Sequence, residues 1–341
     1  MKGRVVVTGG GTGGHLKVAK AFVEEFHKRG IPVIFIGSKN GQDEAWFKDD
    51  RKVKKAFFLD TKGVVNKNLW GKIKSLFQIL KETNRCMDIF DKAEVGTVIS
   101  VGGFSAAPAT FASILSMGCN LFIHEQNSKM GKLNELTSRF AKEIFSSYLP
   151  TSLVKDYPVS SEFFDNARVR ERINAIIFLG GSQGAVAINN FALSVASKLD
   201  SLGIKIIHQT GRVDYERVKK EYEKLNINAD VFDFTPDIAK KMSQADFAIS
   251  RSGASTLWEL SANSLPAMFV PFPHAAQDHQ YYNAKFLKDK GLCFICREKN
   301  LSVEVLDKIL SSDINSMSKG LIDSIGCDAI ESIVDIIVEN N

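Results

Sequence analysis

What most constrains this chain is a pattern that recurs four times: a short apolar run, a turn built almost wholly of glycine and small hydroxyl residues, and a helix-forming stretch. The fourth copy is the most complete. The apolar run Ala245–Ser250 meets the turn Arg251-Ser-Gly-Ala-Ser-Thr256, a helix opens at Leu257, and Leu265–Phe272 returns as a second buried strand, so the whole is a βαβ unit. A turn without bulk presents unpaired backbone N–H groups at the positive end of a helix, which suits a phosphate or diphosphate. Ser252, Gly253, Ser255 and Thr256 supply that lining. The plainer explanation is that Ser255 or Thr256 caps the helix. Three further turns of the same make weigh against it: Gly9–His15, the Gly102-Gly103 turn and Gly180–Gly184.

At 341 residues the chain has length for two domains, and 44% hydrophobic with 24% charged residues reads as a globular protein. A net charge of +5 does not argue for nucleic acid, and none is expected as a partner. Five cysteines, an odd number, point to reduced thiols, and the Cys293/Cys296 pair sits in an apolar run that reads as a strand rather than a metal site. No charge falls between Val95 and Ile123, but Gly102-Gly103, Pro108 and Gly118 break that stretch into strand, turn, helix and strand instead of a membrane span. The start does not read as a signal peptide either.

Formally Gly9, Gly11 and Gly14 satisfy the dinucleotide fingerprint, but the next strand, Pro32–Lys39, ends in Ser38 and Lys39 rather than in an acid for a ribose. His15, placed at the end of the glycine run and before a helix opening at Leu16, stands beside whatever anion binds there. Leu69, Trp70, Ile73, Leu76, Phe77 and Leu80 recur at helical spacing among Lys67, Lys72, Lys74 and Lys81, which fits either a helix packed on the core or one lying on an anionic membrane. Polar residues gather after two strands: His124, Glu125, Gln126 and Asn127, then Gln277, Asp278, His279 and Gln280. Side chains at such carboxyl ends face the crevice where parallel sheets bind ligands. The stretch Leu149–Arg172 lacks periodicity and reads as a linker, and Ser318–Asn341 as an amphipathic helical tail.

Two α/β halves, each opening on a strand and a glycine turn, imply a ligand in a cleft between them and more than one phosphate. No Asp-x-Asp occurs, so a metal held by that motif is not expected and helix ends would neutralise a diphosphate.

Gly10-Gly-Thr-Gly-Gly-His15, His124-Glu-Gln-Asn127, Gly180-Gly-Ser-Gln-Gly-Ala185, Arg251-Ser-Gly-Ala254 and Asp278-His-Gln280, in this order over nearly the whole chain, resemble the MurG family. The resemblance implies a GT-B fold, two Rossmann-like doubly wound domains facing across a cleft: 1–160 for the acceptor and membrane, 161–321 for the UDP-sugar, with a helix of about 322–341 packed back on the first. It implies inverting transfer of N-acetylglucosamine from UDP-N-acetylglucosamine to the 4-hydroxyl of the muramyl sugar in lipid I, giving lipid II, without a cofactor, by a peripheral protein on the cytoplasmic face of the membrane. Family donor contacts fall on Thr12, Gly13, Gly14, Asn127, Ser182 with Gln183, Thr235, and Ala254, Ser255, Thr256, Leu257, Trp258 and Glu259. Glu259 would hold the ribose and Gln280 the sugar. Gly102 and Gly103 would take the acceptor diphosphate, and Leu69, Trp70, Ile73, Phe77 and the flanking lysines the anionic membrane surface.

Two departures stand out: Asp156-Tyr-Pro-Val-Ser160 lacks the family arginine, leaving Ser160 in its place, and Val18 replaces a helix proline. For the base that takes the acceptor's proton, His15, His124 and Glu125 are all candidates. Three rivals remain: another GT-B UDP-sugar enzyme such as an epimerase or a different glycosyltransferase, a nicotinamide oxidoreductase, and a non-catalytic membrane-surface adaptor.

Overall fold

The β-branched runs form strands, and their polar-poor sequences follow from burial on both faces. In the computed structural model, which describes residues 3–63, 68–181 and 184–341, β1 (Arg4–Thr8), β2 (Val33–Ser38), β3 (Val53–Leu59), β4 (Val95–Ser100), β5 (Asn120–His124) and β6 (Glu143–Phe145) make one parallel sheet in the order β3-β2-β1-β4-β5-β6. Between them run α1 (Gly13–Lys28), α2 (Asp43–Phe47), α3 (Leu69–Ala93), α4 (Ala107–Leu115) and α5 (Lys132–Thr137). Val6 pairs with Ile34 on one side and Val98 on the other, and these side chains join Cys86 and Phe90 of α3 and Ala109 and Ala112 of α4 in a common core.

The pattern restarts as α6 (Ser161–Asp165), β7 (Ala175–Leu179), α7 (Val186–Ser201), β8 (Lys205–Gln209), α8 (Tyr215–Lys224), β9 (Ala229–Phe232), α9 (Ile238–Ser243), β10 (Phe247–Ser250), α10 (Ala254–Ala262), β11 (Ala267–Phe269), α11 (His279–Asp289), β12 (Cys293–Ile295), α12 (Val303–Leu310) and α13 (Ile314–Ile322). Its sheet order, β12-β11-β10-β7-β8-β9, is the first sheet's winding repeated. The final helix, α14 (Ala329–Glu339), leaves this half and packs on α1, where Arg29 donates to Asp335 and to the Glu331 carbonyl. The chain accordingly divides into Met1–Pro158 with Asp328–Asn341, and Val159–Cys327.

Three sequence expectations change. The helical tail is two helices, interrupted between Ile322 and Ala329, where Asp323 is the C-cap of the first and Asp328 the N-cap of the second, and each belongs to a different unit. The stretch read as a linker does hold the boundary between the units, at Pro158/Val159, but its far end is built into the second unit. Arg170 there is fully buried, its guanidinium donating to the carbonyls of Arg168, Met242, Ala245 and Asn263 and to Asn263 Oδ1, so this part of the stretch is an internal tie rather than a connector. Its pKa is pushed down to about 9, chiefly by that burial. The first helix begins at Gly13, not Leu16, which sets His15 within its first turn.

Helix α3 carries its amphipathicity the wrong way round for core packing. Its inward side in the first half holds Ser75, Ile79, Glu82 and Thr83, while Trp70 (79% exposed), Ile73, Leu76, Phe77 (69%) and Leu80 face solvent beside exposed Lys72, Lys74 and Lys81. Lys67 and the side chain of Leu69 lie outside the described residues. Among the described residues no helix is long and apolar enough to cross a membrane.

Candidate functional site

The four small-residue turns fall into two pairs. In the first sheet the strand order reverses between β1 and β4, and in the second between β7 and β10; the turns following those four strands are the recurrent ones. The reversal point is where a doubly wound sheet opens a crevice for ligands. At the first such point the two loops interlock. Gly10 N donates to Gly102 O at 3.2 Å, and a Cβ on Gly103 (φ 82°) would stand 2.3 Å from the Gly10 carbonyl oxygen, so glycine is required there by both conformation and space.

Thr12 is the N-cap of α1, yet its hydroxyl does not cap the helix. It lies 2.9 Å from His15 Nδ1 and holds the imidazole near Gly102, where a Cβ would be in ordinary contact with His15 Cδ2 at 3.6 Å. Gly13 and Gly14 form the helix start beside it. His124, at the end of β5, is 1% exposed, with Phe22 and Tyr157 edge-on at 6.1 and 5.6 Å and no hydrogen-bond partner for Nδ1. Desolvation first, and the neighbouring His15 second, push its pKa down to about 3.

Glu125 is fully engaged. One carboxylate oxygen accepts from Asn127 N at 2.9 Å; the other accepts from Gly131 N at 2.9 Å and Asn134 Nδ2 at 2.8 Å, closing the loop that carries Asn127. Gln126 points inward to Val101 O and accepts from Tyr157 OH. Tyr157 thus belongs to the wall of this site, which its place in a proline-flanked stretch of no periodicity gave no means of foreseeing. Ser160 is exposed at the start of α6, and Val18 is buried within an unbroken α1.

In the second unit, Ser182 and Gln183 lie outside the described residues. Gly184, which follows, has φ 81°, and a Cβ there would meet Thr210 O at 2.5 Å. On the neighbouring strand's turn, α10 starts at Ala254 directly after Gly253, with no side-chain cap, and the hydroxyl of fully buried Ser252 has no partner among the described residues. Ala254, Ser255 and Glu259 are buried in this helix, and Thr256 is partly exposed. Leu257 and Trp258 point into the core, the indole stacked on Phe286 at 5.1 Å, so only their backbone is available to a ligand. Thr235 turns its hydroxyl to Asp237 N, next to exposed Phe234. Gln280 Oε1 accepts from Phe272 N at 2.9 Å, and the start of its helix is held by Asp278, paired through both oxygens with Arg297 and thereby kept below the usual carboxylate range. Asp278 has φ 54°, a left-handed conformation that the sequence does not announce. Cys293 and Cys296 are packed thiols; burial pushes Cys293 up to about 12.

A buried network missed by sequence reasoning lies behind the Gly184 turn. His208 on β8 meets Tyr222 OH and Asn189 Oδ1, both at 3.0 Å, and Asn189 donates to Thr210 O and Asp214. Burial pushes His208, like His124, down to about 3. An unfolded imidazole takes its proton near 6.5, so the unfolded chain binds more protons throughout pH 3–6.5. Stability is therefore complete above that window and is lost as pH falls through it. We expect thermal or urea unfolding at pH 5 to show each unit weakened by about 2 kcal/mol relative to pH 7.5; equal stability at the two pH values would contradict the buried, neutral state of both histidines.

Both halves of the chain match domains of known proteins. Residues 5–146 match the glycosyltransferase family 28 N-terminal domain and residues 175–330 the glycosyltransferase family 28 C-terminal domain. A protein of Campylobacter jejuni subsp. doylei named UDP-N-acetylglucosamine–N-acetylmuramyl-(pentapeptide) pyrophosphoryl-undecaprenol N-acetylglucosamine transferase is 52% identical over 300 residues, 88% of this chain and 87% of its own. A Wolinella succinogenes protein of the same name is 50% identical over 98% of this chain and 99% of its own. The crystal structure of Acinetobacter baumannii MurG superposes with a TM-score of 0.81 at 30% identity, covering 99% of each chain.

Proposed function

This chain belongs to the MurG family of UDP-N-acetylglucosamine–N-acetylmuramyl-(pentapeptide) pyrophosphoryl-undecaprenol N-acetylglucosamine transferases, and from that membership we propose how its residues divide the reaction. It is a glycosyltransferase of peptidoglycan synthesis that moves N-acetylglucosamine from UDP-N-acetylglucosamine to lipid I.

The donor diphosphate is held by the start of α10. The observation that supports this is the conjunction of an uncapped helix N-terminus with a buried Ser252 hydroxyl that has no partner among the described residues, a pairing that suits an anion's oxygens. Ala254, Ser255 and Thr256 contribute to the same grip, Leu257 and Trp258 through backbone alone. Glu259 takes the ribose hydroxyls, the Thr235 segment the uracil and Gln280 the sugar. Ser182 and Gln183 complete the donor set, with Thr12, Gly13, Gly14 and Asn127 from the first unit. Gly102 and Gly103 receive the acceptor diphosphate.

His15 is the base that removes the proton from the muramyl 4-hydroxyl as it displaces UDP, and the carbon attacked inverts. Three features support this ordering of the candidates. His15 has Nδ1 oriented by the Thr12 hydroxyl at 2.9 Å, with the ring beside the Gly102 turn. His124, with a pKa of about 3, is a poor proton acceptor at neutral pH and serves as an uncharged wall. Glu125 spends both oxygens on the Asn127–Asn134 loop.

The outward apolar face of α3 is the contact with an anionic membrane surface, apolar side chains entering the headgroup region and lysines meeting phosphates, on the cytoplasmic side. Replacing both Trp70 and Phe77 with alanine removes about 3 kcal/mol of apolar burial and should weaken partition onto vesicles containing phosphatidylglycerol by about a hundredfold. Turnover of a soluble, short-chain lipid I analogue should be unaffected. Undiminished vesicle binding by the double variant would refute this placement.

A further inference from the structure

One buried acid has no part in the reaction as outlined so far. Asp43, the first residue of α2, is fully buried, and its carboxylate bridges the turn after β1 and the end of β2: Oδ2 accepts from Gly11 N at 2.8 Å, and Oδ1 accepts from Ser38 N at 3.3 Å. The chain is cut to fit it. A Cβ on Gly10 would stand 2.3 Å from Oδ1, one on Gly41 2.8 Å from Oδ2, and one on Gly37 2.9 Å from the Asp43 Cβ. Gly11 is followed directly by Thr12, whose hydroxyl holds His15 Nδ1. In a dinucleotide-binding turn those glycine amides face a pyrophosphate. Here one of them, Gly11 N, is taken from inside the protein by a carboxylate.

We infer that Asp43 is a positioning residue for the transfer: it locks the Gly9–Thr12 turn from beneath and thereby sets the orientation of His15. The inference rests on the assignment of His15 as base. It also gives a physical reason for a glycine fingerprint that does not take a dinucleotide, because the carboxylate both occupies the amide and repels a phosphate from that side of the turn. The sequence hides this, since the acid comes five residues after the strand end, on another element.

The test uses the full chain with UDP-N-acetylglucosamine and a lipid I analogue, following UDP release, with melting curves to establish folding. Asp43→Asn keeps the shape but turns an amide N–H toward one of two N–H donors. Gly41→Ala keeps the charge and crowds the carboxylate from the other side. Both should lower kcat by about tenfold or more while the donor KM stays within about twofold. Asp43→Asn combined with His15→Ala should be no slower than His15→Ala alone, because the two act in series. Losses that multiply in the double variant, a loss confined to donor KM, or full turnover in folded Asp43→Asn while His15→Ala is slow would each overturn the inference and leave the base assignment standing. Full turnover in His15→Ala would overturn both. Should Asp43→Asn fail to fold, Gly41→Ala decides alone, by its kcat and by the same combination with His15→Ala.

Discussion

Replacing His15 with alanine is expected to lower kcat for lipid I by about a hundredfold or more, with the donor dissociation constant changed by no more than about twofold. A base acts only as the acceptor hydroxyl attacks, so its loss falls on the transition state and spares the ground-state complex. Removing the Thr12 hydroxyl should lower kcat by less, because the ring stays but its Nδ1 is no longer held at 2.9 Å. The pH profile adds a second readout: the ascending limb of kcat belongs to the base, and it should vanish in His15→Ala. Undiminished turnover with a purified lipid I analogue would remove His15 and return the question to His124 and Glu125, whose burial and hydrogen bonds speak against them.

Glu259→Ala should act on the opposite side of the ledger, on binding. Glu259 is 5% exposed on α10, and a carboxylate that exchanges water for two ribose hydroxyls contributes about 3 kcal/mol, or roughly a hundredfold in Kd. kcat at saturating donor should fall much less. A variant with normal Kd and normal melting would place the ribose elsewhere, whereas one that loses stability and affinity together would make Glu259 a packing residue of α10.

The sequence carried the fold because its signals were local. Valine-rich runs of strand length, glycine turns and apolar helix faces are each complete within about twenty residues, and their repetition after Ala175 is what two copies of one winding must look like. The turns could be found but not paired; that Gly9–His15 belongs with Gly102-Gly103, and Gly180–Gly184 with Arg251–Thr256, depends on strand order. Side chains whose role lies across the sheet were invisible. Asp43, Arg170, Tyr157 and the His208–Asn189–Tyr222 network act through partners far along the chain, and nothing in their neighbours' spacing betrays it. Helix α3 was ambiguous for a sharper reason. Periodicity reports that a helix has an apolar face, not which way it turns, and only the packing of Ile79, Cys86 and Phe90 against the core assigns Trp70 and Phe77 to the outside.

The account turns on a nucleotide sugar whose diphosphate is neutralised by the amides and hydroxyls at the start of α10. Calorimetric titration of UDP-N-acetylglucosamine into the chain, with and without excess EDTA, tests this most directly when repeated on Ser252→Ala. The account predicts the same Kd with and without chelator, and an affinity about tenfold weaker in Ser252→Ala from the lost charge-assisted hydrogen bond. Binding that disappears in EDTA, or that Ser252→Ala leaves untouched, would contradict it.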